Sequence, residues 1–272
     1  LSHDVDLFGA PVQAPRKPWF SPSRLKTFLD CARRYEYQFL RKYPTAPSKN
    51  LDLGNNVHAA LRDWLRMPPK QRTPDNLVDA FRSAWRNNSK AFAHSSREEI
   101  KEWGENGKAM LLRFADTAPP DLEPVMIEKT ISADYGDVVV GGRVDRVDAL
   151  PDGSLRVVDY KTGKYPKSPA REKEQDIAAP VYARAASLAF AGAPVVEVEM
   201  LYLATGERLL FPVDDVWLAH KDLAVLSAAQ AARDAEQSGT FPPRPSRLCD
   251  WCDFKQRCPE GKAFLDASPS PR

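Results

Sequence analysis

The sequence predicts an α/β fold, a mixed central sheet flanked by helices, with an N-terminal helical layer and a cysteine-bearing C-terminal segment. Three observations carry that expectation. Apolar residues recur at helical spacing from Ser21 to Ala118. Apolar alternation and turn residues take over after Pro119-Pro120. Beyond that point the order reads as three strands, a helix, a strand pair and a long helix, which suits one sheet with helices packed on its faces.

Residues 1–18 hold three prolines and little periodicity and are expected to form a flexible arm. Ser21-Pro22 is an N-cap followed by proline at the first helical position. Leu25, Phe28, Leu29, Ala32, Phe39 and Leu40 then predict one continuous helix that carries Cys31. A second helix over 53–65 presents Leu53, Val57, Ala60, Leu61 and Trp64 on one face, carries His58, and ends before Pro68-Pro69. Helices over 76–92 and 96–118 complete this layer.

Strands are predicted over 124–133, 137–149 and 154–160, the last two joined by a Pro151-Asp152-Gly153 turn. A helix follows over 175–190. A strand pair over 195–203 and 207–213 turns at Thr205-Gly206, and a helix over 214–237 precedes the cysteines. One domain over 19–262 is expected, made of a helical part (19–118), a core (119–213) and a helix with the cysteines (214–262), and 263–272 is expected to be a flexible tail.

Across 272 residues, 43% are hydrophobic and 28% charged, ordinary values for a globular domain with a core. A net charge of +2 excludes a chain that is basic overall, so any grip on a polyanion must be local. No apolar run reaches the ~18 residues that span a bilayer. The start also lacks the basic and apolar regions of a signal peptide. The expected setting is therefore cytoplasmic, without membrane. Four cysteines, three of them within ten residues, point in a reducing compartment to metal chemistry rather than disulfides.

The sharpest signal is Gly142-Arg143-Val144-Asp145-Arg146 followed by Val157-Val158-Asp159-Tyr160-Lys161. On a strand, Asp159 and Lys161 face the same side, and the hairpin brings Asp145 beside them. Two converging carboxylates make a hard oxygen site suited to Mg²⁺ or Mn²⁺. A neighbouring lysine can stabilise charge developing on a phosphoryl group. Glu128, on the strand before, is a weaker candidate for the same site, since a strand glutamate is more often solvated.

These residues resemble motifs II and III of the PD-(D/E)XK nucleases, in the RecB-like branch that includes the AddB nuclease domain and the cluster-bearing nucleases of CRISPR adaptation. That branch places a histidine in a Gly-X-X-X-His pattern upstream, and Gly54-Asn55-Asn56-Val57-His58 fits it. The resemblance implies that His58, Asp145, Asp159 and the carbonyl of Tyr160 hold the metal and that Lys161 is the catalytic lysine. It also implies a Gln-X-X-X-Tyr helix. Tyr182 stands at the tyrosine position, but Ala178 occupies the glutamine position and Gln175 lies a turn earlier. His3, His94 and His220 match no motif and are read as structural.

Cys249-X-X-Cys252 and Cys258, with Cys31 far upstream, leave a zinc site and an iron–sulfur cluster both open on spacing alone. Phe28, Trp251 and Phe254 are candidates for an apolar shell. The same resemblance implies a [4Fe–4S] cluster on Cys31, Cys249, Cys252 and Cys258.

Basic residues near the carboxylates (Arg143, Arg146, Lys164, Lys167, Arg171, Lys173) and around the cysteines (Arg33, Arg34, Arg244, Lys255) would supply the grip on DNA, with interleaved tyrosines suiting single strands. The resemblance implies a metal-dependent DNA exonuclease preferring single strands or ends, in repair or recombination. With no Gly-X-X-X-X-Gly-Lys-Ser/Thr loop present, unwinding would need a helicase partner. The alternative is a catalytically inactive, nuclease-like, DNA-binding iron–sulfur protein.

Overall fold

The structure is a computed structural model describing residues 17–119 and 121–267. The arm expected over 1–18 lies almost wholly outside the described residues, as does the end of the tail. The helix Pro259–Ala267 (α9) runs into the stretch expected to be tail.

The sheet has six strands: β1 (Trp19–Phe20), β2 (Met126–Tyr135), β3 (Val138–Ala149), β4 (Leu155–Lys161), β5 (Val195–Tyr202) and β6 (Glu207–Pro212). It is mixed. β2 and β4 run antiparallel to β3, β5 runs parallel to β4, and β6 returns antiparallel to β5. The short β1, which the sequence did not announce, pairs parallel with Val139 and Val140 of β3.

One topological feature positions everything functional. β2 covers one edge of β3 from Val138 to Val147. On the other edge β4 pairs with β3 only from Ala149 back to Arg146, opposite Val158. Past that pair β3 is joined by β1, while β4 continues beside β5 to Lys161. The two strands therefore fork, and Asp145 and Asp159 are the first residues beyond the fork.

Each face of the sheet has its own core. One is formed with α1 (Pro22–Asp30), α7 (Ala178–Ala189) and α8 (Asp215–Ser238), and includes Phe20, Leu25, Val157, Val181 and Val225. The other is formed with α3 (Lys49–Leu65), α4 (Pro74–Asn87) and α5 (Arg97–Thr117), and includes Val57, Leu61, Leu111, Val158 and Tyr160. Val157 and Val158 on opposite cores show the period-2 alternation of β4. Serine caps start three of the helices: Ser21, Ser48 and Ser96 accept from the N–H groups of Arg24, Leu51 and Glu99. Among the described residues no helix is long and apolar enough to cross a membrane.

Two expected helices are broken. The first stops at Asp30, because Cys31 is extended (φ −166°, ψ 113°), and resumes as α2 (Ala32–Tyr35) and a π-helical turn over Glu36–Leu40. Cys31 thus stands at a corner and not within a helix. The helix expected over 175–190 starts only at Ala178 as α7, and Gln175 ends a separate helix α6 (Pro169–Gln175) that was not expected, because Asp176 leaves the helical conformation and caps α7 by accepting from the Ala179 N–H at 2.7 Å.

Candidate active site

α3 delivers His58 to the fork. Gly54 precedes it by one turn, and a Cβ there would lie 3.2 Å from Thr162 Oγ1, so glycine lets α3 approach the loop after β4. His58 Nδ1 lies 3.0 Å from Asp145 Oδ1, and its Nε2 lies 3.1 Å from the Tyr160 carbonyl oxygen. The Tyr160 N–H donates to Asp145 Oδ2 at 2.8 Å. Of these, the Nδ1–Asp145 separation is close to the ~3 Å between adjacent ligands on an octahedral cation with ~2.1 Å bonds, while Nε2, the other ring nitrogen, faces the Tyr160 carbonyl.

Glu128, the weaker candidate on sequence grounds, is brought to the site by the structure. It lies across from Asp145 in the β2–β3 register, between the Ile127–Arg146 and Lys129–Val144 pairs. Its backbone takes φ +48°, left-handed for a non-glycine residue in mid-strand. Its side chain is 6% exposed, with Oε1 3.7 Å from His58 Nδ1 and Oε2 2.6 Å from Arg143 Nε. Among the described residues, His58, Glu128 and Asp145 are the one group of three metal-binding side chains whose ligand atoms all lie within 4.8 Å of one another. Asp159 stands just outside it, with Oδ2 2.5 Å from Lys161 Nζ. Glu128 Oε2 and Asp159 Oδ2 are thus each paired with a cationic side chain, Arg143 and Lys161.

The electrostatics follow from crowding. Burial pulls the His58 imidazolium down, but the carboxylates of Asp145, Glu128 and Asp159 outweigh it and push its pKa up to about 10. Burial, reinforced by the charge of Asp159, raises Asp145. Burial likewise opposes the charge on Lys161, yet Asp159, Asp176 and Asp145 hold it above the ordinary lysine range. Asp176 is thus a further carboxylate facing the lysine, invisible to a reading that carried one helix straight through it.

Tyr182 reaches the same place from α7. A Cβ at Gly142 would lie 3.0 Å from its hydroxyl, so the glycine of the Gly-Arg-Val-Asp-Arg run leaves room for this ring. Burial and the charges of Asp159 and Asp145 keep the phenol protonated. Gln175 is not brought here, because it lines a groove between α1, α6 and α8 with Lys26 and Arg244.

Arg146 does not join Arg143 at the surface. It is buried beside the core of the α3–α5 side, where its Nη1 donates to the Tyr160 hydroxyl at 2.7 Å and its Nε lies 3.1 Å from Asp148 Oδ2. The other basic residues after β4, Lys164, Lys167 and Arg171, are exposed.

The four cysteines line one pocket with Arg33, Arg34, Tyr37 and Phe254. None is in a disulfide. Backbone N–H groups of Arg244, Ser246 and Gly261 donate to the sulfurs of Cys31, Cys249 and Cys258 at 3.4, 3.5 and 3.4 Å. Burial pushes the Cys252 and Cys258 thiols up. Phe254 is buried against Tyr37, but Trp251, expected in an apolar shell, is 86% exposed, and Phe28 packs in the core against Tyr35.

A family profile for the PD-(D/E)XK nuclease superfamily matches residues 19–259. The chain belongs to that superfamily. No curated protein matches it. A "Putative exonuclease" from Eubacterium rectale, known by crystal structure, is similar at 15% identity over 93% of this chain and 94% of its own, with a TM-score of 0.58. The crystal structure of SSO0001 is similar at 14% identity over 92% and 89%, with a TM-score of 0.44. The mixed sheet with helices on both faces is consistent with the restriction-endonuclease-like core expected of a PD-(D/E)XK chain. Membership makes phosphodiester hydrolysis of nucleic acid the class of reaction and divalent metal the ordinary cofactor, and the His58–Glu128–Asp145 group is a place for one.

Proposed function

We propose that this chain is a Mg²⁺- or Mn²⁺-dependent DNA nuclease of the RecB-like branch, with a [4Fe–4S] cluster on Cys31, Cys249, Cys252 and Cys258. The observation that carries the reading is the fork, where the two ring nitrogens of His58 face Asp145 and the Tyr160 carbonyl at 3.0 and 3.1 Å, with Glu128 beside the imidazole and Asp159 paired with Lys161. An imidazole grouped with buried carboxylates, the ligand atoms of His58, Glu128 and Asp145 all within 4.8 Å of one another, fits a hard divalent cation.

His58, Asp145, Asp159 and Tyr160 would hold the ion, with Glu128 in reach. When bound, the cation supplies Lewis-acid polarisation of the scissile phosphate and a more acidic water. The chain supplies the rest. Lys161 keeps its proton across the neutral range and neutralises charge developing on the phosphoryl oxygens. Asp159 holds that ammonium in place, and the charge of Asp176 adds to it. The neutral Tyr182 hydroxyl offers a hydrogen bond beside them.

The four cysteines line one pocket, and the choice of a cluster over a single zinc ion rests on the resemblance. The backbone N–H donors to sulfur suit cluster thiolates. When bound, the cluster ties the corner after α1 to the last helix. Exonuclease action on single strands or ends, a setting in repair or recombination, a helicase partner and a cytoplasmic location rest on the resemblance. The basic and aromatic side chains Arg34, Tyr37 and Lys255 at the cysteine pocket support the single-strand preference.

Cleavage of end-labelled single- and double-stranded DNA by anaerobically purified protein, in Mn²⁺, Mg²⁺ or EDTA, tests the reading. Metal-dependent products lost in Asp159→Ala and Lys161→Ala are expected. A cluster-loaded wild type that binds DNA but cuts none would make it a nuclease-like binding protein instead.

A further inference from the structure

Beside the metal-binding group, on the side lined by none of Asp159, Lys161 and Tyr182, a polar cleft opens between α3, the end of α4, β2 and β3. It is lined by Asn55, His58, Arg62, Asn88, Glu128 and Arg143. Asn55, His58 and Arg62 fall on one face of α3, at spacings of three and four. The cleft is therefore an open, partly cationic extension of the fork.

Arg143 is its dominant cation. Its side chain is 58% exposed and its Nε is held by Glu128 Oε2 at 2.6 Å. Among the described residues Glu128 is its one ion-pair partner, and the exposed side of the guanidinium is open to an anion. Arg62 lies on the same cleft, partly neutralised by Asp63 at 2.8 Å. Glu128 links cleft and fork, since one oxygen holds Arg143 while the other faces His58. The left-handed backbone at Glu128 is strain of the kind that persists where surrounding structure imposes it, often at functional sites.

Building on the nuclease reading, we propose that Arg143, assisted by Arg62 and fixed in place by Glu128, binds the backbone phosphate next to the scissile one. The ligand class is a nucleic-acid phosphodiester at least two phosphates long. A guanidinium matches a phosphate through paired N–H donors, and a lysine does not. The strand thus crosses the fork with one phosphate at the metal and Lys161 and its neighbour in the Arg143 cleft. The site grips the backbone and carries no base preference.

The test compares wild type, Arg143→Ala and Arg143→Lys on two substrates in Mn²⁺. One is a single-stranded oligonucleotide and the other is thymidine 5′-(p-nitrophenyl phosphate), which has one phosphodiester and no neighbouring phosphate. Iron content and circular dichroism matched to wild type certify each variant. Arg143→Ala is expected to raise KM for the oligonucleotide roughly 10–100-fold, the value of a charge-assisted hydrogen bond, with little change in kcat. The slope of log KM against log salt should flatten by about 0.7 for the lost contact. Its loss on the oligonucleotide should exceed its loss on the ester at least tenfold, with Arg143→Lys between. Equal losses on both substrates, or an unaltered oligonucleotide KM and salt slope beside an active wild type, overturn the proposal alone. A wild type that cuts neither substrate overturns the nuclease reading and this proposal with it.

Discussion

Tyr160 and Asp145 are joined across the strand fork by the Tyr160 N–H donating to Asp145 Oδ2 at 2.8 Å, while the carbonyl of the same tyrosine faces His58 at 3.1 Å. A backbone group that would otherwise be left unpaired where β3 and β4 part is thereby used to orient a carboxylate. Asp145→Asn should remove the anionic donor and leave the packing of the fork. The expected result is loss of Mn²⁺ affinity and of cleavage by at least ~100-fold, above the ~10–100-fold typical of residues that only support ligands, with the melting temperature within a few degrees of wild type. Titration calorimetry and the cleavage assay read the two effects, and retained Mn²⁺ affinity would remove Asp145 from the metal set.

Arg146 and Asp148 form a buried pair beneath the same tyrosine, with side chains 8% and 12% exposed. Arg146→Ala leaves Asp148 unpaired and strips the Tyr160 hydroxyl of its donor. Breaking such a pair costs roughly 3–5 kcal/mol, readable by urea unfolding. Arg146→Met with Asp148→Leu should recover most of that stability, because no lone buried charge remains. A single variant as stable as wild type would show that the pair is solvated in solution.

How much of this was legible in sequence differs from residue to residue. The hairpin bearing Asp145, Asp159 and Lys161 follows from strand alternation and a Pro-Asp-Gly turn, both local signals. Gly54 and Gly142 were visible as pattern, and their reason, the approach of Thr162 and Tyr182, is tertiary. Arg143 and Arg146 look alike in sequence, yet one lies exposed beside Glu128 and the other is buried against Asp148 and Tyr160. Glu128 read as a solvated strand residue because nothing local announces a left-handed backbone. The breaks at Cys31 and Asp176 were missed for a related reason. Helical periodicity continues through both, and it is the demand for a sulfur at a corner and a cap on α7 that interrupts it.

His58 gives the protein in EDTA a specific pH dependence. Its folded-state pKa, raised to about 10, lies above the ~6.5 of an unfolded histidine. Its stabilising contribution is fully present below pH ~6.5 and is lost as pH rises through about 10. The melting temperature in EDTA should fall across that window, and His58→Ala should flatten the fall. Saturating Mn²⁺ should also flatten it in wild type, because a ligating imidazole has already given up its proton. Parallel profiles for wild type and His58→Ala would show that the imidazolium is not held by the carboxylates.

The cysteine pocket makes the last prediction, concerning Cys31. Cys249 and Cys252 are neighbours in sequence, whereas Cys31 lies more than two hundred residues upstream and is set at the corner where α1 breaks off. A tie across a loop of that length restricts the unfolded chain by about 5 kcal/mol in the chain-entropy account. Cys31→Ser should therefore lose iron and most of the stability that the cluster provides. Cys252→Ser should lose iron with it, because three thiolates and a hydroxyl hold a cluster poorly. Both variants should melt well below wild type, and chelating the iron from wild type should bring it to the same temperature. A full iron load with an unaltered melting temperature in either variant would take that cysteine out of the ligand set. Stoichiometric zinc without sulfide in the wild type would replace the cluster by a single ion.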